Sequence, residues 1–180
     1  MNFKGKNIFI RFLEKGDAEA LLNLHLRNRD FFQKYSPAYS EEFYTLEWKI
    51  QSIETSIEMR KNDKMYSWGI FDNEYKKLVG TVDLFQVFRG ALQSCLLGYS
   101  LDKEYNGRGY MTEAVSLVVR FAFDELKLHR IEAGVRQDNI GSMRVLEKAG
   151  FHKEGIAIKN VKINGKWEDH QMFAIISDRE

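Results

Sequence analysis

Glu104-Tyr-Asn-Gly-Arg-Gly-Tyr-Met-Thr-Glu-Ala114 is the stretch on which the reading of this chain turns. Before it, Ser94–Leu101 has the composition of a strand; after it, Thr112–Leu126 reads as a long apolar helix. Between them Gly107 and Gly109 free the backbone from Cβ atoms, so it can take left-handed dihedrals and approach a ligand closely. Successive N–H groups then lead into a helix N-terminus, where unpaired donors and the positive end of the helix dipole favour an anion. The pattern predicts a pyrophosphate cradle, although the same glycines also serve a tight turn with no ligand.

Two better-known phosphate loops are excluded. A P-loop ends in Gly-Lys-Ser/Thr, which is missing here. A dinucleotide fingerprint needs a third Gly or Ala where this chain has Thr112, even though Glu132 lies about twenty residues on, where a ribose-binding acid would sit. A second stretch adds to the first. Ile131–Val135 is a short strand, followed by Arg136-Gln-Asp-Asn-Ile-Gly-Ser-Met-Arg-Val-Leu-Glu-Lys-Ala-Gly-Phe151. Asn139 is a good N-cap, Met143, Leu146 and Ala149 share one helical face, and Gly150 is a C′ stop with Phe151 placed to fold back on the last turn.

The combination resembles the GNAT acetyltransferases, in particular the RimJ/RimL-type branch that acetylates the N-termini of ribosomal proteins. Asn106-Gly-Arg-Gly-Tyr-Met111 matches the acetyl-CoA loop, Asn139-x-x-Ser142 with Val-Leu-Glu-Lys-Ala-Gly-Phe matches a second signature, and Asn28-Arg-Asp-Phe-Phe-Gln-Lys-Tyr-Ser-Pro37 resembles the segment between the first two helices. The similarity runs from about Ile8 to Ile176. It departs from the superfamily at Asn106, usually Gln or Arg, and at Met111, usually Gly or Ala; Tyr-Met-Thr-Glu-Ala is common in the RimJ/RimL branch. The resemblance implies an α/β (α+β) fold: a mixed, mostly antiparallel seven-stranded sheet with helices on both faces, its one parallel pair being the strand before Asn106 and the strand at Ile131. It implies acetyl-CoA as co-substrate, held by Tyr99, Leu101, Asn106, Gly107, Arg108, Gly109, Tyr110, Met111, Thr112 and Asn139, and Ser142 and Asn139 as catalytic residues.

Length and composition agree with a single domain over residues 1–180, its core about 8–176. The 180 residues are 44% apolar and 29% charged, with net charge +1, an ordinary globular balance that gives no reason to expect nucleic acid or an anionic membrane as partner. No window approaches a membrane span, and Lys4, Lys6 and Arg11 interrupt the N-terminal apolar run, so neither an anchor nor a signal peptide is expected. The single cysteine, Cys95, reads as a buried small hydrophobe on a strand. The expected setting is the cytoplasm, with self-association left open.

In chain order, strands are expected at Ile8–Leu13, Met65–Phe71, Leu78–Phe88 and Ala91–Leu101, the last reaching a bulge or splay at Gly98. Helices are expected from Asp17, as cap, to Arg27, and over Glu42–Lys61 with Leu46, Ile50, Ile53 and Ile57 on one stripe. Gly155–Lys162 and Trp167–Ile176 form a hairpin around Asn164-Gly165. By the family resemblance this loop, with Glu168 and Asp169, closes one side of the substrate cleft, and the pantetheine arm enters where two strands part. Phe31, Phe32, Tyr35 and Tyr39 cluster around Pro37, as core plugs or as a substrate wall.

The implied chemistry is direct attack of a neutral amine on a thioester. The enzyme positions both reactants, stabilises the oxyanion through N–H groups near Tyr99–Leu101, and protonates the leaving thiolate, for which Ser142 is the candidate. Asn139 would orient substrate or pantetheine, although an N-cap and a first-turn serine explain the same residues without chemistry. The Glu that some relatives carry five residues before the Asn is Gly134 here. A water chain to Asp83, Glu41 or Glu42 is left as the route for the proton. An α-amine with a pKa near 7.7–8.0 is about a tenth neutral at pH 7, against below about 0.1% for lysine, so a site without a strong base suits an N-terminus better. The rival acceptors are small amines: a polyamine, an aminoglycoside or an amino acid. A polycation would need Glu41, Glu42, Asp83, Glu168 and Asp169 to converge. A CoA-binding sensor without turnover is a further alternative, and a nicotinamide module fails on the glycine spacing. His25, His129, His152 and His170 have no ligand spacing, and no metal is expected.

Overall fold

A computed structural model describes residues 2–179. Its strands are β1 (Asn2–Lys4), β2 (Ile8–Phe12), β3 (Tyr66–Asp72), β4 (Leu78–Phe88), β5 (Ser94–Leu101), β6 (Arg130–Arg136), β7 (His152–Ile163) and β8 (Lys166–Ile176). Its helices are α1 (Ala18–Arg27), α2 (Arg29–Gln33), α3 (Leu46–Lys61), α4 (Tyr110–Asp124) and α5 (Ile140–Lys148). The strands make one sheet in the order β1-β2-β3-β4-β5-β6-β8-β7. Every pairing is antiparallel except β5–β6. The expectation of seven strands misses β1, whose three residues, ending in Lys4, are too short to show a period.

Helices cover both faces. On one, α4 buries Ala114, Val115, Val118 and Ala122 against Ile8, Ile10, Trp68, Val82, Leu84 and Ile131 of the sheet. This helix is apolar around most of its circumference because α5 packs on it as well. On the other face Leu21 and Leu24 of α1 and Ile53 of α3 meet Leu13, Phe71 and Leu78. Each fully buried side chain of this size is worth about 1.5–3 kcal/mol of hydrophobic stabilisation. No helix among the described residues is long and apolar enough to cross a membrane.

Local chemistry sets the boundaries. Gly150, at φ +96°, ends α5; Phe151 N–H donates to Leu146 O at 2.9 Å and Gly150 N–H to Glu147 O at 3.1 Å, the paired bonds of a Schellman stop. Asn164 and Gly165, at φ +50° and +80°, make the β7–β8 turn with both central residues left-handed. Two expectations need correction. The helix expected from Glu42 is broken: Glu41–Tyr44 is a single 3-10 turn, and extended Thr45 caps α3 by accepting Trp48 N–H at 3.3 Å. Leu46 is therefore exposed at the helix start instead of joining the buried stripe. Asp17 precedes α1 without capping it, because its carboxylate is held by Arg11 (2.7 and 2.8 Å) and by Glu14 N–H (2.8 Å).

The feature that builds the site is the short parallel ladder. β5 and β6 pair only over Ser94–Leu96 and Arg130–Glu132, while β5 stays paired to β4 as far as Leu101. Beyond Leu96 the two strands diverge, leaving the β6-facing backbone groups of β5 without a strand partner. The split begins two residues before Gly98, which keeps its regular place opposite Asp83.

Candidate active site

The glycine loop leaves the end of β5 from a fixed base. The buried Asp102 carboxylate accepts Arg27 Nε at 2.6 Å and Glu104 N–H at 3.2 Å. Burial alone would raise its pKa; the Arg27 and backbone hydrogen bonds more than offset that and hold it below the usual carboxylate range. Next to it, Lys103 N–H donates to Asn28 Oδ1 at 3.0 Å, and Asn28 Nδ2 is tied to Leu24 O at 3.0 Å. The C-terminal end of α1 thus clamps the first residues of the loop.

Gly107 and Gly109 both take φ +78°, and no atom lies within 4 Å of where either Cβ would be. Gly109 is the N-cap of α4 and supplies no side-chain cap, so the first N–H groups of this helix remain available to an anion. Open space over two left-handed glycines at an uncapped helix start fits a pyrophosphate. A cavity of about 570 Å³ opens there. Its wall includes Tyr99 and Leu101 from β5; Asn106, Gly107, Gly109, Tyr110, Met111 and Thr112 from the loop and α4; and Asn139, the N-cap of α5, with Ser142 from its first turn. Arg108 is the one candidate that is not on this wall: its Nη2 turns back to Glu104 O at 3.0 Å, with the guanidinium over the Tyr105 ring.

Across the split, the Tyr99 hydroxyl meets Ser142 Oγ at 2.7 Å and donates to Ser142 O at 3.1 Å. Burial pushes the Tyr99 phenol up to about 12, against a smaller opposite pull from Ser142, so it is protonated at neutral pH. Asn139 Oδ1 accepts Ser142 N–H at 3.3 Å; the amide does cap α5, and its Nδ2 makes no other hydrogen bond among the described residues.

Beside this cavity lies a smaller one of about 50 Å³, which shares Phe32, Ser36 and Ser100 with it. His25, Gln33, Tyr39, Phe43 and Tyr44 complete its wall. Tyr39 and Phe43 stack at 3.9 Å, and the buried Lys49 ammonium sits 3.2 Å from the Phe43 ring centre. Burial brings Lys49 down to about 7; burial together with the Lys49 charge brings His25 down to about 3. Of the aromatic group read as plugs or substrate wall, Phe31, Phe32 and Tyr35 line the large cavity and Tyr39 the small one.

The acidic residues do not converge. Glu41 is exposed and paired with Arg29 at 2.5 Å, Asp169 accepts Lys159 N–H at 2.8 Å, and Glu168 lies on β8 near Lys166. The β7–β8 hairpin does close against α2, but through Asn164, whose amide exchanges hydrogen bonds with Gln33 at 3.0 and 3.2 Å, and not through Glu168 or Asp169. Arg144 and Lys148, which also line the large cavity, were missed by the sequence reading. They stand four residues, one turn, apart on the capped helix that also carries Ser142, and that spacing is the signal that would have found them. His152 contacts Glu154 and His170 contacts Asn160; no cluster of side chains able to hold a metal ion occurs among the described residues.

Comparison with known proteins gives this geometry a family. The acetyltransferase (GNAT) domain family matches residues 7–152. Over 174 residues, 97% of this chain and 96% of its relative, the sequence is 58% identical to the probable N-acetyltransferase YjcK of Bacillus subtilis strain 168. The ribosomal-protein-S5-alanine acetyltransferase of Vibrio fischeri superposes with a TM-score of 0.95 at 34% identity, covering 99% of this chain and 98% of that one. RimJ of Mycobacterium smegmatis, solved in complex with CoA-disulfide, superposes with a TM-score of 0.90 at 25% identity, covering 95% and 82%. With the family match spanning most of the chain and a sheet split beside an open glycine loop, this protein belongs to the GNAT acetyltransferases, in the RimJ/RimL-type branch, and is an N-acetyltransferase that uses acetyl-CoA.

Proposed function

We propose that the acceptor is the α-amine of a protein N-terminus whose first residue is small, a ribosomal protein being the kind of substrate that its relatives' names suggest. The observation that carries this reading is the small aromatic cavity beside the large one. At about 50 Å³ it has room for a methyl or hydroxymethyl side chain. The dispersal of Glu41, Glu168 and Asp169 argues the same way, since a polycation needs several carboxylates facing one cleft. The cytoplasm, where such N-termini are made, is the setting that this proposal implies.

In this reading acetyl-CoA supplies an activated acyl group as its thioester. The α4 N-terminus and the Gly107–Gly109 backbone hold the pyrophosphate, with Arg144 and Lys148 adding positive charge from α5. The unpaired β5 backbone beyond Leu96 lies along the pantetheine arm and supplies N–H groups to the oxyanion. Ser142, hydrogen-bonded to the Tyr99 phenol, hands a proton to the departing sulfur. Asn139 keeps Ser142 in place by capping its helix.

The test is thiol release from acetyl-CoA with peptides beginning Ala, Ser, Met or Leu, run beside spermidine and an aminoglycoside. Turnover of the Ala and Ser peptides well above the rest supports the proposal. Turnover of the small amines alone overturns it.

A further inference from the structure

The small cavity has part of its wall on an irregular segment, and one side-chain amide ties that segment down. Gln33, the last residue of α2, lines this cavity together with Ser36 and Tyr39 of the segment that follows. Its Nε2 donates to Ser36 O at 3.4 Å, to Pro37 O at 3.1 Å and to Asn164 Oδ1 at 3.2 Å. Asn164 Nδ2 donates back to Gln33 O at 3.0 Å. Main-chain carbonyls only accept, so these partners settle which way both amides face. Asn164, at φ +50°, is the first residue of the β7–β8 turn. The hairpin tip is thereby fastened to the cavity wall from 131 residues away in the chain.

The far end of the segment is held by Arg29 and Glu41, 2.5 Å apart. Glu41 is exposed, and an exposed ion pair contributes little. The Gln33 end therefore carries the closure.

We propose that Gln33 and Asn164 form a latch that sets how large a first residue the acceptor can carry, Gln33 as part of the wall and Asn164 as its positioning residue. This assignment rests on the proposed function for the kind of acceptor and adds the side chains that enforce the choice. An apolar pocket separates side chains that differ by one methylene by about 10–200-fold, and it does so only while its wall stays in place. With a cavity of about 50 Å³, a bulkier first residue enters only if Ser36 and Tyr39 move outward. Tyr39 is stacked on Phe43 at 3.9 Å, and the segment that carries it is pinned at Ser36 and Pro37 by Gln33. Release of the amide lets that wall swing. Neither Gln33 nor Asn164 lines the large cavity, so the latch acts on the acceptor and not on the thioester.

The experiment measures thiol release from acetyl-CoA with peptides that begin Ala or Leu and are otherwise identical. Gln33→Met keeps the reach of the side chain and removes its donor. Asn164→Gly keeps a residue that suits the left-handed turn and removes the amide. In each variant the ratio of kcat/KM for the Ala peptide to that for the Leu peptide should fall about tenfold, at the lower end of the range for such pockets. The change should sit in the KM for the peptides, with the KM for acetyl-CoA at its wild-type value. A side chain that only supports the fold would lower both peptides alike and leave the ratio where it was. An unmoved ratio in either variant overturns the latch. A wild type active on small amines alone overturns the N-terminal acceptor instead. The latch is then read from the smallest and the bulkiest amine turned over, whose ratio Gln33→Met must lower; an unmoved ratio there overturns it as well.

Discussion

The Tyr99 hydroxyl and Ser142 Oγ lie 2.7 Å apart across the gap where β5 has left β6. Two strands that part leave a slot, and this hydrogen bond spans it, joining a strand to the first turn of α5. In the proposed mechanism Ser142 is the group that protonates the sulfur, and the phenol, its pKa pushed up to about 12 mainly by burial, fixes that first turn by donating to Ser142 O at 3.1 Å.

Ser142→Ala is therefore expected to lower kcat by about 10²-fold, within the range for a lost general acid. Tyr99→Phe should lower it by roughly tenfold, with the KM for acetyl-CoA nearly unchanged in both, because the interaction matters in the transition state and not in binding. Steady-state kinetics with acetyl-CoA varied at saturating acceptor decide this. A rise in KM at constant kcat would assign both residues to binding alone.

The Gly109→Ala prediction rests on dihedral strain and not on contact. No atom lies within 4 Å of the added Cβ, but φ is +78°, and a non-glycine residue pays about 1–2 kcal/mol for that conformation. The helix start would relax toward an ordinary N-terminus and turn its N–H groups off the cavity. Calorimetric titration with acetyl-CoA should show about tenfold weaker binding, the equivalent of 1.4 kcal/mol. Unchanged affinity would mean that the loop does not carry the phosphates.

Arg27 is the outer half of a pair whose inner half, Asp102, is buried, and the pair stands at the foot of the same loop. Arg27→Met leaves an uncompensated buried carboxylate, with an expected cost of about 3 kcal/mol and a Tm lower by roughly 6–12 °C for a chain of this size. Acetyl-CoA should restore part of the loss by mass action. A Tm within a degree of wild type would show that water or another donor takes over.

Most of this architecture was legible because it was written in local chemistry. The α5 cap and stop, the Asn164-Gly165 turn and the glycine loop each need particular residues at particular φ values, and those residues stand out in a sequence. What could not be read was written in long-range contacts. Thr45 breaks the helix expected from Glu42 by capping the one that follows, a choice that depends on where the 3-10 turn of Glu41–Tyr44 packs. Asp17 had the residue type of a cap, but Arg11, six residues away on β2, took its carboxylate. The small cavity proposed for the acceptor was the least legible part of the site. Its wall combines α1, the segment after α2 and Ser100 of β5, and no sequence spacing links those pieces. Lys49 was invisible for the same reason: on a helix that reads as surface-facing at that position, nothing local marks a lysine as buried.

That lysine makes the sharpest stability prediction. Lys49 is 1% exposed, has no carboxylate partner among the described residues, and rests on the Phe43 ring. Burial lowers its pKa from the ordinary lysine value to about 7. Between pH 7 and about 10.4 the unfolded chain holds a proton that the folded chain sheds, so this group makes stability rise with pH through that window; below pH 7 its full penalty applies. Lys49→Met keeps the length of the side chain and removes the charge. The variant should be more stable than wild type at pH 7, by about 1–4 kcal/mol if it follows other buried charges replaced by apolar residues, less the cation–π contact of roughly 0.5–2 kcal/mol. Its advantage should shrink as pH rises toward 10. Urea unfolding of both proteins at pH 7 and pH 9.5 measures the difference directly. A variant less stable than wild type at pH 7, with a gap independent of pH, would mean that the ammonium is solvated in the folded protein and that the aromatic ring is its true partner.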